Sequence, residues 1–189
     1  MRFVQARHYT PGRATRVRLI VVHTMESAEA TGTALSVANW FASANAPQAS
    51  AHFCIDASET VQCVRESDTA WAAPGANADG IQLEHAGRAG QGSTGWADAY
   101  SQDVLRRSAA LAAGLASNYG IPIRHLTNAE LAAGKAGSSA TSRCRRSTRS
   151  PPTPIPAPTS HGRRTSPLQG HPQPRLHPRR MTCRCPTPT

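Results

Sequence analysis

Residues 17–23 (VRLIVVH) form an almost unbroken apolar run rich in β-branched side chains. A run of that length and make-up predicts a strand buried on both faces. Residues 27–43 carry Leu35, Ala38, Trp40 and Phe41 at spacings that suit an amphipathic helix. Residues 51–56 (AHFCID) and 60–65 (TVQCVR) are short alternating runs separated by Ala57, Ser58 and Glu59, and so predict a hairpin. Residues 80–86 (GIQLEHA) read as another strand, entered from the loop at 72–78. Across residues 101–119, Val104, Leu105, Ser108, Leu111, Ala112 and Leu115 share one helical face, and Gly120 and Pro122 close the segment. A last short helix is predicted from Thr127, where Glu130 three residues on completes a capping box. The expected fold is α/β, a mixed central sheet flanked by helices.

The pattern stops abruptly near Gly137. Residues 1–137 hold eleven basic and eleven acidic side chains, whereas residues 138–189 hold ten Arg and no acid. Eleven of the fifteen prolines lie after 137 and every Trp, Tyr and Phe before it, so the net charge of +10 belongs to a tail and not to the folded part. Two regions are therefore expected: a domain over residues 1–137, and a segment over 138–189 with too little apolar surface to offset its ordering entropy, hence disordered. The Arg-rich tail could be a basic arm for nucleic acid or an anionic cell-wall polymer, but it has no aromatic residue for stacking and no basic helix; no specific nucleic-acid partner is expected. Residues 1–12 lack the apolar core of a secretion signal, which predicts cytoplasmic synthesis. No apolar run has the length of a membrane span, and a monomer with no membrane partner is expected. Cys54, Cys63, Cys144, Cys183 and Cys185 show neither zinc-finger spacing nor a disulfide framework.

Four polar positions stand out. His23 ends an apolar strand, where α/β sheets build their sites, although a histidine there can simply be hydrogen-bonded at the sheet edge. Glu84 lies inside a strand, where a carboxylate is costly unless it is paired, at work or turned to solvent. His52 shares a strand face with Cys54 and Asp56, which suits a partly buried polar residue on a half-exposed sheet. Trp71 closes the segment Asp68-Thr69-Ala70-Trp71, which suits a turn burying its indole.

Taken together, residues 21–26 (VVHTME), 50–56 (SAHFCID), 66–71 (ESDTAW) and 81–87 (IQLEHAG) resemble, in order and separation, the N-acetylmuramoyl-L-alanine amidase family related to peptidoglycan-recognition proteins, especially endolysins of phages of actinobacteria. The likeness covers about residues 17–137. It implies a zinc-dependent peptidoglycan hydrolase that acts on the cell wall once released. By the same resemblance His23 is a Zn2+ ligand, Glu84 the general base, and His52 and Trp71 line the substrate groove. Many relatives have His after that Trp, where this chain has Ala72. Relatives also close the domain with Gly-His-x-Asp/Glu-Val and then His-x-Asp-Pro-Gly-Pro-x-Phe-Pro-Trp, which complete the zinc site. Neither element is in this sequence, so the resemblance implies an incomplete site and an enzyme of doubtful activity. A non-catalytic peptidoglycan-binding module and an inactive gene product are the other readings.

The genetic code suggests where the missing elements went. Reading one base back, Ser138-Ser139-Ala140-Thr141 permits Phe-Val-Gly-His, and Arg143-Cys144 permits Glu-Val. Residues 153–162 permit His-x-Asp-Pro-Gly-Pro-Asn-Phe-Pro-Trp. A frame change near codon 137 is therefore expected, and it would also account for an Arg- and Pro-rich tail without hydrophobic periodicity.

Overall fold

In a computed structural model of the chain, residues 1–140 are described. The strands are β1 (Arg2–Phe3), β2 (Tyr9–Thr10), β3 (Leu19–Thr24), β4 (Phe53–Ile55), β5 (Thr60–Gln62), β6 (Thr69–Ala70), β7 (Gly80–His85) and β8 (Gly137–Ala140). The helices are α1 (Thr33–Ala42), α2 (Gly92–Gly95), α3 (Ala99–Tyr119) and α4 (Asn128–Ala132). Six strands form one mixed sheet in the order β1-β5-β4-β7-β3-β8, and β2 and β6 form a separate antiparallel pair. Strand β3 has parallel neighbours on both sides, as its apolar run predicts. The β4–β5 pair is the expected antiparallel hairpin. Asp56 closes its turn by accepting from the Ser58 and Glu59 amides, and its other oxygen accepts from Ala34 N, tying the hairpin to the start of α1.

Each face of the sheet carries one long helix. On one, Val104 and Leu115 of α3 pack against Ile20, Phe53, Ile55, Ile81 and Leu83. On the other, Ala34, Ala38 and Phe41 of α1 cover Cys54 and Val61. Asp98 caps α3 by accepting from Ser101 N at 2.8 Å, and Gly120, at φ 64, ends it. Two expected core positions are corrected here. Leu105 lies 100° round the helix from Val104 and is exposed. Trp40 likewise stands on the open shoulder of α1, 46 % exposed, while Phe41 takes the buried place. Helix α1 also starts later than the pattern suggests, because Glu26 (φ 53) and Gly32 (φ 84) turn the preceding segment into a loop.

The last strand crosses the compositional break. Regular structure continues through Ala140, three residues past the expected boundary, because strand pairing uses backbone groups that any non-proline residue supplies. Gly137 N donates to Arg18 O, Ser138 N to Arg124 O, and Leu126 N to Ser138 O. The expectation of disorder for the rest of the tail falls on residues 141–189, outside the described ones. A Cβ on Gly137 would sit 2.8 Å from Arg124 O and 2.9 Å from the Leu126 side chain. Gly137→Ala is therefore expected to destabilise the fold by about 1–3 kcal/mol through overpacking. Gly114→Ala, at an open position of α3, should instead stabilise by roughly 0.5–1 kcal/mol. Thermal melts of the two variants should shift in opposite directions.

Candidate functional site

The register of β3 on β7 sets His23 directly opposite Glu84, and Cys54 of β4 is opposite Glu84 on the other side. Residues paired in register on neighbouring strands share a face, so His23, Glu84 and Cys54 all look away from α3. His23 and Glu84 stand near the carboxyl ends of two parallel strands, where α/β sheets place their sites. Just beyond, Glu26 holds the left-handed conformation and accepts from Thr24 Oγ1 at 2.5 Å and Ala89 N at 2.9 Å, tying the two strand-end loops together.

Glu84 is half-buried as a residue, but its Oε2 is withdrawn from solvent and has no hydrogen-bond partner among the described residues. Burial first, and then the charge of Glu26, pushes its carboxyl up to about 8. A carboxyl so placed holds its proton at neutral pH and, once ionised, is a much stronger base than a solvated carboxylate. Beside it, His23 is buried, with Nε2 at 2.8 Å from Gln82 Oε1.

The other expected site residues, His52 and Trp71, have hydrogen-bond partners of their own. His52 is fully buried, with its Nδ1 accepting from Gln82 N at 3.0 Å and its Nε2 at 3.2 Å from Asp68 O. Burial and then the Arg13 guanidinium hold it down to about 3, hence neutral. His52, expected to line the substrate groove, has no solvent-exposed surface and lies just before β4, bonded to Gln82 on the neighbouring strand. Trp71 is half-buried, stacks on His8 with ring centroids 6.1 Å apart, and donates from Nε1 to Thr10 Oγ1 at 2.9 Å. Cys54 and Cys63 are both buried as free thiols, Sγ to Sγ 3.7 Å.

His85 follows Glu84 and so faces the other way, toward α3, where its Nε2 lies 2.6 Å from Ser108 Oγ. Burial, and secondarily His23, holds it down to about 4. An unfolded chain takes up this proton near 6.5, so between pH 6.5 and about 4 the unfolded state binds more protons and stability falls as pH falls. His85→Gln should flatten this limb by roughly 1–3 kcal/mol, read from denaturant midpoints at several pH values.

A zinc site needs three or four protein ligands. Among the described residues no group of three His, Cys, Asp or Glu side chains could hold a metal. His23 and Glu84 are only two such side chains, and by themselves they do not fit the ion. Sequence reasoning missed Gln82 and Glu26. Gln82 looks like an ordinary strand residue until its neighbours are known, and only the unusual φ marks Glu26.

A sequence profile described as N-acetylmuramoyl-L-alanine amidase matches residues 13–150. No curated protein matches the chain by sequence. Among solved structures, the chain is similar to the catalytic domain of XlyA, with TM-score 0.52, 18 % identity, and coverage of 72 % of this chain and 80 % of that one. A mutant endolysin from Bacillus subtilis gives 0.51, 15 %, 72 % and 81 %. The Staphylococcus aureus hydrolase AmiA in complex with its ligand gives 0.54, 16 %, 77 % and 66 %. At these identities the likeness is one of fold: a mixed sheet with flanking helices. Among the described residues no helix is long and apolar enough to cross a membrane.

Proposed function

The chain belongs to the N-acetylmuramoyl-L-alanine amidase family, and from that premise we propose that its domain is built to bind peptidoglycan and to cut the amide between N-acetylmuramic acid and L-alanine, with Glu84 as general base. The observation that carries this is the in-register pair of His23 and Glu84 on one sheet face, with Glu84 Oε2 withdrawn from solvent and without a hydrogen-bond partner among the described residues. Ionised Glu84 takes a proton from the water that attacks the amide carbonyl, and the same carboxyl, now neutral, can return that proton to the departing amine. Trp71 offers a half-buried indole edge for the substrate groove. In the intact family zinc supplies Lewis-acid chemistry at such a site; here His23 is the one residue of the sequence as written that matches a ligand position. We therefore propose that this chain binds zinc weakly and hydrolyses peptidoglycan poorly.

The frame reading gains support from the sheet. Strand β8 pairs with β3 up to Val22 opposite Ala140. The next residue on β3 is His23, and the next in the sequence after Ala140 is position 141, where the shifted frame permits a histidine codon. We propose that the gene encodes the remaining ligands in that frame and that the in-frame part of the domain ends near residue 137 of the chain as written. Purified cell-wall sacculi, incubated with the chain as written and with a frame-restored chain, test this: released stem peptides are expected from the second and not from the first.

A further inference from the structure

The strongest unassigned feature beside the site is the buried carboxamide of Gln82. Its side-chain Nε2 lies 2.8 Å from Ala76 O, and its Oε1 lies 2.8 Å from His23 Nε2. A backbone carbonyl accepts and never donates, so the NH2 end of the amide must face Ala76. The amide oxygen facing His23 is also an acceptor. His23 Nε2 must then carry the hydrogen, and in a neutral imidazole this leaves the lone pair on Nδ1.

The backbone of Gln82 is held as firmly as its side chain. Its N–H donates to His52 Nδ1 and its C=O accepts from His52 N, both at 3.0 Å, and the residue is fully buried. Space for the amide comes from Gly80: a Cβ there would overlap Ala76 O and reach within 2.8 Å of Gln82 Nε2. The chain from Ala76 O through Gln82 to His23 is thus directional, each link fixing the sense of the next. We infer that Gln82 is a positioning residue that locks His23 as the Nε2–H tautomer and presents Nδ1 as its electron-pair donor. The functional meaning rests on the proposed amidase site, where a fixed tautomer gives the imidazole opposite Glu84 one defined lone pair. The tautomer itself does not depend on that reading.

The test uses the uniformly 15N-labelled full-length chain near neutral pH, with two-bond proton–nitrogen spectra that report which ring nitrogen carries hydrogen. His23→Gln identifies the His23 signals. The wild-type chain is expected to show one His23 tautomer, protonated at Nε2, with a slowly exchanging ring proton. Gln82→Met keeps length and removes the acceptor; exchange of that proton should accelerate about tenfold, the factor for losing one hydrogen bond, and the signals should average toward both tautomers. Gly80→Ala crowds the amide without touching His23 and should accelerate exchange too, which keeps the test decisive if Gln82→Met fails to fold. A wild-type His23 protonated at Nδ1 would overturn the inference. So would unchanged exchange in folded Gln82→Met, or in Gly80→Ala if Gln82→Met does not fold. Failure of the frame-restored chain to release stem peptides, with the tautomer as described, would count against the amidase reading and leave Gln82 in place.

Discussion

A chain whose frame is restored from codon 138 is expected to bind zinc stoichiometrically and to digest sacculi at least about a thousandfold faster than the chain as written. The size follows from what one histidine lacks. A metal held by a single protein ligand is neither retained nor kept in a fixed geometry, whereas three ligands leave one open position of defined direction. Losing charge stabilisation at a reacting carbonyl costs about a hundred- to a thousandfold, and losing an activated water adds to that. Zinc content after dialysis and release of stem peptides measure the two properties separately. The register makes the expectation specific: the described pairing of β8 with β3 runs to Val22 opposite Ala140, and position 141 is the one whose shifted codon permits histidine. Stoichiometric zinc and full turnover in the chain as written would sink the account, and so would a restored chain with neither.

The sequence showed these elements unevenly, for physical reasons. Strand β3 was legible because burial on both faces leaves an apolar run, and α4 because a capping box is a local hydrogen-bond pattern: Thr127 Oγ1 accepts from Glu130 N, and the Glu130 carboxylate accepts from Thr127 N. Strands β1 and β2 were not, since two residues carry no period and their pairing partners, β5 and β6, lie about sixty residues away. His23 and Glu84 could be singled out by type and by family likeness, yet their adjacency depends on the parallel register of β3 on β7, which no local pattern specifies. The burial of His52 was not legible, because alternation suggested a half-exposed sheet and the residues that enclose it, Arg13, Asp68 and Gln82, come from distant parts of the chain.

Glu84→Gln is expected to act in opposite directions on stability and catalysis. Burial raises the Glu84 carboxyl from 4.5 to about 8, so between those values the folded state holds a proton that the unfolded state has released. With more protons bound in the folded state, stability falls as pH rises through this window, and above about 8 the folded protein carries a charge with one oxygen withdrawn from solvent. Glutamine is neutral at every pH and nearly isosteric. In the chain as written the variant should match wild type near pH 4.5 and exceed it by roughly 2–4 kcal/mol near pH 8.5, read as a higher denaturant midpoint. The His85 limb runs the opposite way between about 4 and 6.5, so the two offset each other from 4.5 to 6.5 and the Glu84 fall stands alone from there to about 8. In the frame-restored chain the same substitution removes the base and should lower turnover by about a hundred- to ten-thousandfold while zinc content stays unchanged. A Glu84→Gln chain no more stable than wild type at pH 8.5 would mean that the carboxyl is solvated, and the reading of Glu84 as a buried base would fall with it.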